Sequence, residues 1–306
     1  MSAPSVPMIQ QTAGAGAARA AARRRNLQRG MGANRRPGWL TYAILTGTLL
    51  ISALPLYYAV LLASSDAATI ARNPIPSLIP QGNLWDNLMR VFGSDINFWT
   101  AVANSIIVAV IVAASTVLFS TLAGFSFAKL SFQGRTPLLV FVIATMAVPV
   151  QLGVVPLFIV MSRLGWVGDL KAVIVPTLVT AFGVFWMTQY LSGALPFELI
   201  EAARVDGCSM IRVFWHVAMP AARPAAAMLA LFTFVASWTN FFWPFIVLGP
   251  SNPTLPVAIQ LLQASYFKDY SLIMAGVVAA TLPLVLVFIV AGRHLVAGIM
   301  QGAVKG

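Results

Sequence analysis

Long apolar runs dominate the chain, separated by short breaks that hold nearly all of its charge. A helix rises about 1.5 Å per residue, so roughly 20 apolar residues cross the hydrocarbon core of a bilayer. Six segments reach that length, at about 40–63, 100–128, 137–161, 172–194, 224–248 and 271–292. None contains Asp, Glu, Lys or Arg, and each can span with some tilt. Pro55, Pro149, Pro156, Pro176, Pro244 and Pro283 fall inside them. Neighbouring helices can satisfy the backbone groups that such prolines free. The pattern therefore predicts an all-α, polytopic membrane bundle of six transmembrane helices over residues 39–306.

The remaining pieces are short. Residues 1–38 hold seven arginines and no acidic residue, which predicts a disordered basic cytoplasmic tail, either a topology anchor or a contact with anionic lipid headgroups. The first apolar run is too long, and starts too late, for a cleaved signal peptide. Arg24-Arg25 followed by Asn-Leu-Gln makes a poor twin-arginine export signal. The stretch 64–99 is rich in turn formers (Asn73-Pro74, Pro76, Pro80, Gln81-Gly82) and ends in a short amphipathic piece, Leu84–Met89, whose Trp85 suits a membrane interface.

Composition and charge sharpen this picture. The chain is 59% hydrophobic and 9% charged, against about 25% charged for a soluble domain. Its net charge of +11 does not signal nucleic acid, because the basic residues sit in breaks between apolar runs and not along a structured groove. With the N-terminus inside, the inner segments hold 14 basic and 3 acidic residues and the outer ones 5 of each. The positive-inside rule then puts both termini in the cytoplasm. Cys208 is the sole cysteine, so no intrachain disulfide forms, and His216 and His294 stand apart from any metal-ligand cluster.

One inner loop, residues 195–220, is more than a connector. Pro196 fits the first turn of a helix, and Glu198 and Glu201 fall near its N-terminal end, where negative charge is favoured. Gly207 reads as the left-handed residue ending that helix. Ser209 can cap a second short helix, which Pro220 stops. On the second helix Ile211, Phe214, Trp215 and Ala218 recur at i, i+3, i+4 and i+7, one apolar stripe. Such a helix–Gly–helix unit serves either as an interfacial connector or as a docking element.

The spacing resembles the signature loop of the permease subunits of ATP-binding-cassette importers: Glu-Ala-Ala, three residues, Gly, nine residues, Ile, one residue, Leu-Pro. Here Glu201-Ala202-Ala203, Gly207, Val217, Met219 and Pro220 stand at those spacings. Val217 and Met219 depart from the pattern but stay apolar. The resemblance extends over most of the chain and narrows to the carbohydrate-uptake branch, which includes the second permease of the maltose importer. Pro76–Pro80, Ala123–Lys129, Ser237-Trp238, Phe242-Trp243-Pro244 and Gly302–Gly306 carry that narrowing. Asn240 stands where the family often has Asp.

The resemblance implies a type I importer transmembrane domain in a bacterial inner membrane, serving sugar uptake. Its loop (Glu201, Ala202, Ala203, Asp206, Gly207, Ile211, Phe214, Val217, Pro220) would seat in a cleft on an ATPase subunit. The implied partners are a second homologous permease, two ATP-binding ATPase subunits and an extracytoplasmic solute-binding protein, with no cofactor in this chain. ATP and Mg are left to the partner, since no Gly-x-x-x-x-Gly-Lys-[Ser/Thr] loop occurs, and no catalytic residue is expected. Polar side chains inside spans are candidates for the translocation path: Asn104, Thr145, Gln151, Gln189, Thr239 and Asn240, with Trp238 and Trp243 as sugar-stacking surfaces. The competing reading is helix-to-helix hydrogen bonding for the polar residues and packing for the aromatics. A permease for a polyol or glycerol phosphate is the nearest alternative. An ion-coupled secondary transporter is remote, because no span carries an ionisable relay, and a membrane enzyme lacks a nucleophile–base pair.

Overall fold

The computed structural model describes residues 38–73, 77–263 and 268–303, with side chains described to Gly292 in the last stretch. The basic tail through residue 37, Pro74 and Pro76, Val304–Gly306 with Lys305, and the side chains of Arg293 and His294 lie outside the described residues. Every regular element among the described residues is helical. Among the described residues five helices are long and apolar enough to cross a membrane, and a sixth crossing follows if one bent pair counts as a single span.

The chain divides at Pro55 into two units. In the first, a helix starts at Trp39, and its Thr48 hydroxyl donates to the Ile44 carbonyl at 2.9 Å. That bond satisfies the hydroxyl within its own helix, while Leu45, Leu49 and Ile51 stay exposed.

In the second unit the first helix runs on to Ala63. The 64–99 stretch folds against that end. Ser64 accepts from the Gln81 and Asn83 N–H groups, and Asn87 donates to the Ala63 and Ser65 carbonyls, both at 2.9 Å. Asp66 caps a helix over Ala67–Arg72 by accepting from the Thr69 N–H and hydroxyl. The expected amphipathic piece is a helix over Leu84–Phe92, with Asn87 and Val91 buried and Trp85 exposed. Arg90 pairs with Asp269 at 2.7 Å, tying this helix to the entrance of the last span. Burial alone would raise the Asp269 carboxyl. Bonds from Ser271, Arg90 and the Leu272 N–H outweigh it and hold the group below its ordinary value.

The second span, Phe98–Lys129, is the longest helix whose side chains are all described, and it runs against the fourth and fifth spans. The third segment is not one straight rod. Arg135–Thr145 and Val150–Arg163 meet at 89° around Pro149, whose missing N–H and fixed φ break the ladder. The fourth, Lys171–Ala194, is also interrupted: a helical turn to Ile174, a 3₁₀ turn over Val175–Thr177, then a fresh helix from Ala181 capped by Thr180. The fifth departs most from expectation. It occupies Met210–Trp238 and not 224–248, and a separate short helix covers Phe242–Val247. The last helix begins at Tyr270 and its crossing portion extends to Gly292.

Close approach between the second and fourth spans depends on two glycines. A Cβ on Gly124 would sit 2.7 Å from the Met187 Cβ and 2.8 Å from its carbonyl carbon. A Cβ on Gly183 would clash with the Ser120 Oγ. Small residues let membrane helices come together without hydrophobic drive from water. Indole N–H groups then bridge neighbouring elements: Trp186 donates to Ala225, Trp238 to Ala280 and Trp243 to Ala172, at 2.9–3.2 Å.

Replacing Gly124 by Leu forces the Met187 backbone away, an overpacking cost of about 1–3 kcal/mol or more. Thermal unfolding of the purified protein in detergent will show a lower midpoint for Gly124→Leu than for Gly193→Leu, where a Cβ meets nothing.

Candidate functional site

The loop of residues 195–220 folds as a knuckle. Pro196 occupies the N-cap, one position before the first helical turn, and Phe197–Val205 follows with Glu198 in that turn. Gly207 adopts φ +79°. The Cys208 N–H donates to the Ala203 carbonyl at 2.9 Å, and the Gly207 N–H donates to that of Arg204 at 3.0 Å. Those two bonds are the Schellman pair, which uses up orphan carbonyls and reverses the chain. Ser209 stands at the next N-cap without a side-chain capping bond.

Beyond Ser209 the structure overturns the expected stop at Pro220. Met210–Val213 is helical, Phe214–Ala218 forms one π turn, and Met219 resumes an α-helix that carries Pro220 and Pro224 onward. The Met219 N–H reaches back five residues to the Phe214 carbonyl. A π turn inserts one residue, and it widens the helix directly before the proline that has no N–H to give. Only half of the expected stripe, Phe214 and Ala218, is buried. Val213, Phe214, Ala218, Ala222, Ala225 and Leu229 are buried, whereas Ile211 is 59% and Trp215 50% exposed.

The knuckle is anchored by one core. Ile200, Val213, Phe214 and Ala218 pack together with Phe125 of the second span, Met187, Leu191 and Leu195 of the fourth, and Ala222, Ala225 and Leu229 of the fifth. Ala203, Cys208 and Val217 border the same cluster. Glu201, Ala202, Asp206 and Gly207 face outward, and Val205 is 88% exposed. The outer surface therefore joins carboxylates (Glu201, Asp206), cations (Arg204, Arg212) and apolar side chains (Val205, Ile211).

The span-borne candidates separate into different environments. Asn104 is buried and donates to the Asn252 Oδ1 at 2.8 Å and the Pro253 carbonyl at 2.9 Å. Asn252 in turn donates to the Gly168 carbonyl, and the Ser105 hydroxyl accepts from the Leu255 N–H. Together they clamp the 249–254 loop to the second span. Trp238 is 4% exposed, donates to Ala280 and stacks on Phe234; Trp243 is buried in another core and donates to Ala172. Thr145 and Thr239 bond to carbonyls of their own helices. Gln151, at the bend of the third segment, and Gln189 are exposed.

Asn240 lies elsewhere, on a cavity of about 320 Å³. One wall comes from the interrupted fourth span: Thr177, Thr180 and Phe182. The other comes from the fifth span and its end: Phe232, Thr233, Ser237 and Asn240. Sequence reasoning missed Thr233, Phe232 and Phe182. The i, i+4, i+7 spacing of Thr233, Ser237 and Asn240 was the available signal. A second cavity of about 320 Å³ is lined in part by Trp238, Thr239 and Thr281, with the Thr239 and Thr281 hydroxyls spent on Val235 and Val277.

Residues 116–297 match the family described as binding-protein-dependent transport system inner membrane component. The chain is 33% identical to an arabinooligosaccharides transport system permease protein, AraQ, of Halalkalibacterium halodurans, over 84% of this chain and 92% of that one. It is 30% identical to a lactose transport system permease protein, LacG, of Rhizobium radiobacter, over 89% and 97%. Its fold matches a chain in the crystal structure of a bacterial ABC transporter involved in the import of the acidic polysaccharide alginate, with a TM-score of 0.70, 22% identity and coverage of 83% and 95%.

Asn104→Leu removes both donors of the clamp and leaves buried acceptors unpaired, at a cost of about 1–3 kcal/mol. Hydrogen exchange will show faster amide exchange at Asn252 and Leu255, with the knuckle unchanged.

Proposed function

We infer the function of this chain from the family it belongs to, the inner membrane components of binding-protein-dependent transport systems. Membership makes it a transport subunit of the inner membrane and not an enzyme, working with an ATPase and a solute-binding partner. Beyond that, the chain forms one permease half of an ATP-driven carbohydrate importer, paired with a second related permease and served by two ATPase subunits that bind the ATP and Mg. The relatives named for arabinooligosaccharides and lactose favour a sugar over a polyol or glycerol phosphate.

The observation that carries the mechanism is the knuckle. Its outward face offers the Glu201 carboxylate for charge-assisted pairing, Ala202 for close approach, and Val205 and Ile211 as apolar contact. Its inward face is fused to three spans through the core around Phe214. Docked in an ATPase cleft on the cytoplasmic side, with both termini also cytoplasmic, it passes the closure of the ATPase pair to the membrane helices as displacement. On the opposite side, the 64–99 fold and the clamped 249–254 loop face the binding protein.

In the assembled importer, Glu201→Lys will reduce the ATPase subunit recovered with this chain, and uptake will fall in step, by about tenfold or more if an ion pair of a few kcal/mol is inverted. Gly207→Val strains a left-handed position and will have the same effect. Normal recovery of the ATPase subunit and normal uptake in both variants would refute the docking role.

A further inference from the structure

We propose that the helix over Leu84–Phe92 is an interfacial anchor whose partner is the outer leaflet of the bilayer. Trp85 and Met89, with Leu78 and Ile79 of the preceding turn, insert among phospholipids at the boundary between headgroups and chains. The proposal needs only that the spans cross a bilayer. It gives to lipid one face of the 64–99 fold, whose charged edge stays open to the binding protein.

The first support is depth. The Tyr57 hydroxyl donates to the Leu78 carbonyl at 2.6 Å. Tyr57 belongs to the helix that ends at Ala63, so this bond lies about 9 Å back from the helix end. Val91 packs on the last span, where a Cβ on Gly276 would sit 4.0 Å from its Cγ1. That span starts at Tyr270, which again puts the contact about 9 Å inside the helix end. The Phe92 ring meets Phe98 and Trp99 at 5.0 and 5.2 Å, and these two residues open the second span. The turn and the short helix are therefore level with the outermost turns of three spans, not raised above them into water.

The second support is the division of the helix into three sectors. Leu84, Asn87, Leu88 and Val91 turn toward the protein, with Asn87 and Val91 buried and both leucines packed on the core that holds Val91. Asp86 and Arg90 recur at i and i+4 on a second side, where Arg90 meets Asp269. Trp85 and Met89 recur at i and i+4 on the third side, 64% and 48% exposed. A helix on a soluble core needs an apolar face and a polar one. A second apolar sector beside a charged edge suits a helix lying in the interface plane, and tryptophan is enriched at that level.

Continuity identifies the occupant. Trp99, Ile106 and Val110 recur at i, i+7 and i+11 down the second span, and all three are exposed. Through the Phe92–Trp99 contact, the outward apolar sector runs on into this membrane-facing stripe. Leu78 and Ile79, 82% and 76% exposed, extend the same apolar surface at the depth of Tyr57. A binding protein that docks and leaves is matched better by the edge carrying Asp86 and Arg90, since lasting interfaces are the more hydrophobic ones.

The test is spin-label accessibility in the complete importer, reconstituted in phospholipid nanodiscs. Cys208→Ser removes the native thiol, and labels are placed one at a time at Trp85→Cys, Met89→Cys and Ile79→Cys. Asp86→Cys reports the charged edge, and Ile106→Cys supplies the hydrocarbon reference. Co-purified ATPase subunit shows which variants assemble, and any one of the first three carries the test. The proposal expects molecular oxygen to outcompete a water-soluble nickel chelate at Ile79, Trp85 and Met89. The ratio should place those labels about 5–10 Å inside the headgroup boundary, with Asp86 shallower, and adding the binding protein should leave it unchanged. Nickel access at Trp85 and Met89 equal to that at Asp86 would put the face in water and overturn the proposal. Low access to both reagents, or oxygen access lost when the binding protein is added, would show that protein covers the face and would overturn it equally.

Discussion

The structure depends on one interaction above others: the packing of Phe214 and Val213 into a core shared by the knuckle and three spans. Phe214 is 2% and Val213 1% exposed, and each contributes about 1.5–3 kcal/mol when fully buried. Their partners come from the second, fourth and fifth spans, with Ile200 supplied by the knuckle's own first helix. An exposed loop of mixed charge would otherwise sample many shapes. Here its inner face is fixed by apolar burial and its turn by the Gly207 Schellman pair. Only the outer face is left for a partner.

The π turn at Phe214–Ala218 makes that arrangement compatible with Pro220. An unbroken α-helix would ask Pro220 for a donor it lacks. The π turn resolves that conflict, and the buried face continues at helical spacing through Phe214, Ala218, Ala222, Ala225 and Leu229, with Ile211 and Trp215 exposed. The knuckle's second helix is thus the first turns of the fifth span, not a separate element hung below it. The same span carries Thr233, Ser237 and Asn240 along the cavity.

Much of this was legible in the sequence. Apolar run length located the spans, because the bilayer imposes a length that composition records directly. Glu201, Gly207 and Pro220 were readable as a spaced motif, and a glycine needed at positive φ announces itself. The fifth span's true limits were not legible, because Pro220 has the local signature of a stop and only tertiary packing reveals that a π turn carries the helix past it. The 89° bend at Pro149 was hidden for a related reason: hydropathy measures length and not direction. Asn104, Trp238 and Trp243 have the residue types of a solute path, but their bonds run to Asn252, Ala280 and Ala172. Side-chain type cannot say where a hydrogen bond ends. Thr233 and Ser237 gave the opposite problem, ordinary residues whose hydroxyls make no hydrogen bond among the described residues.

The central claim is that the knuckle and the spans it packs against move as one body when the ATPase subunits close. The most direct measurement is a spin-label distance between Val205 on the knuckle and Phe119 on the second span, both exposed, in the assembled importer with and without ATP. The account predicts one narrow distance distribution that stays put, within about 2 Å, while distances from Val205 to the partner permease change; domain movements of this kind proceed by discrete shifts between packed bodies. A Val205–Phe119 distance that broadens or shifts by a helical turn, about 5 Å, would mean that the knuckle swings independently of the span, and the mechanical link through Phe214 would be wrong.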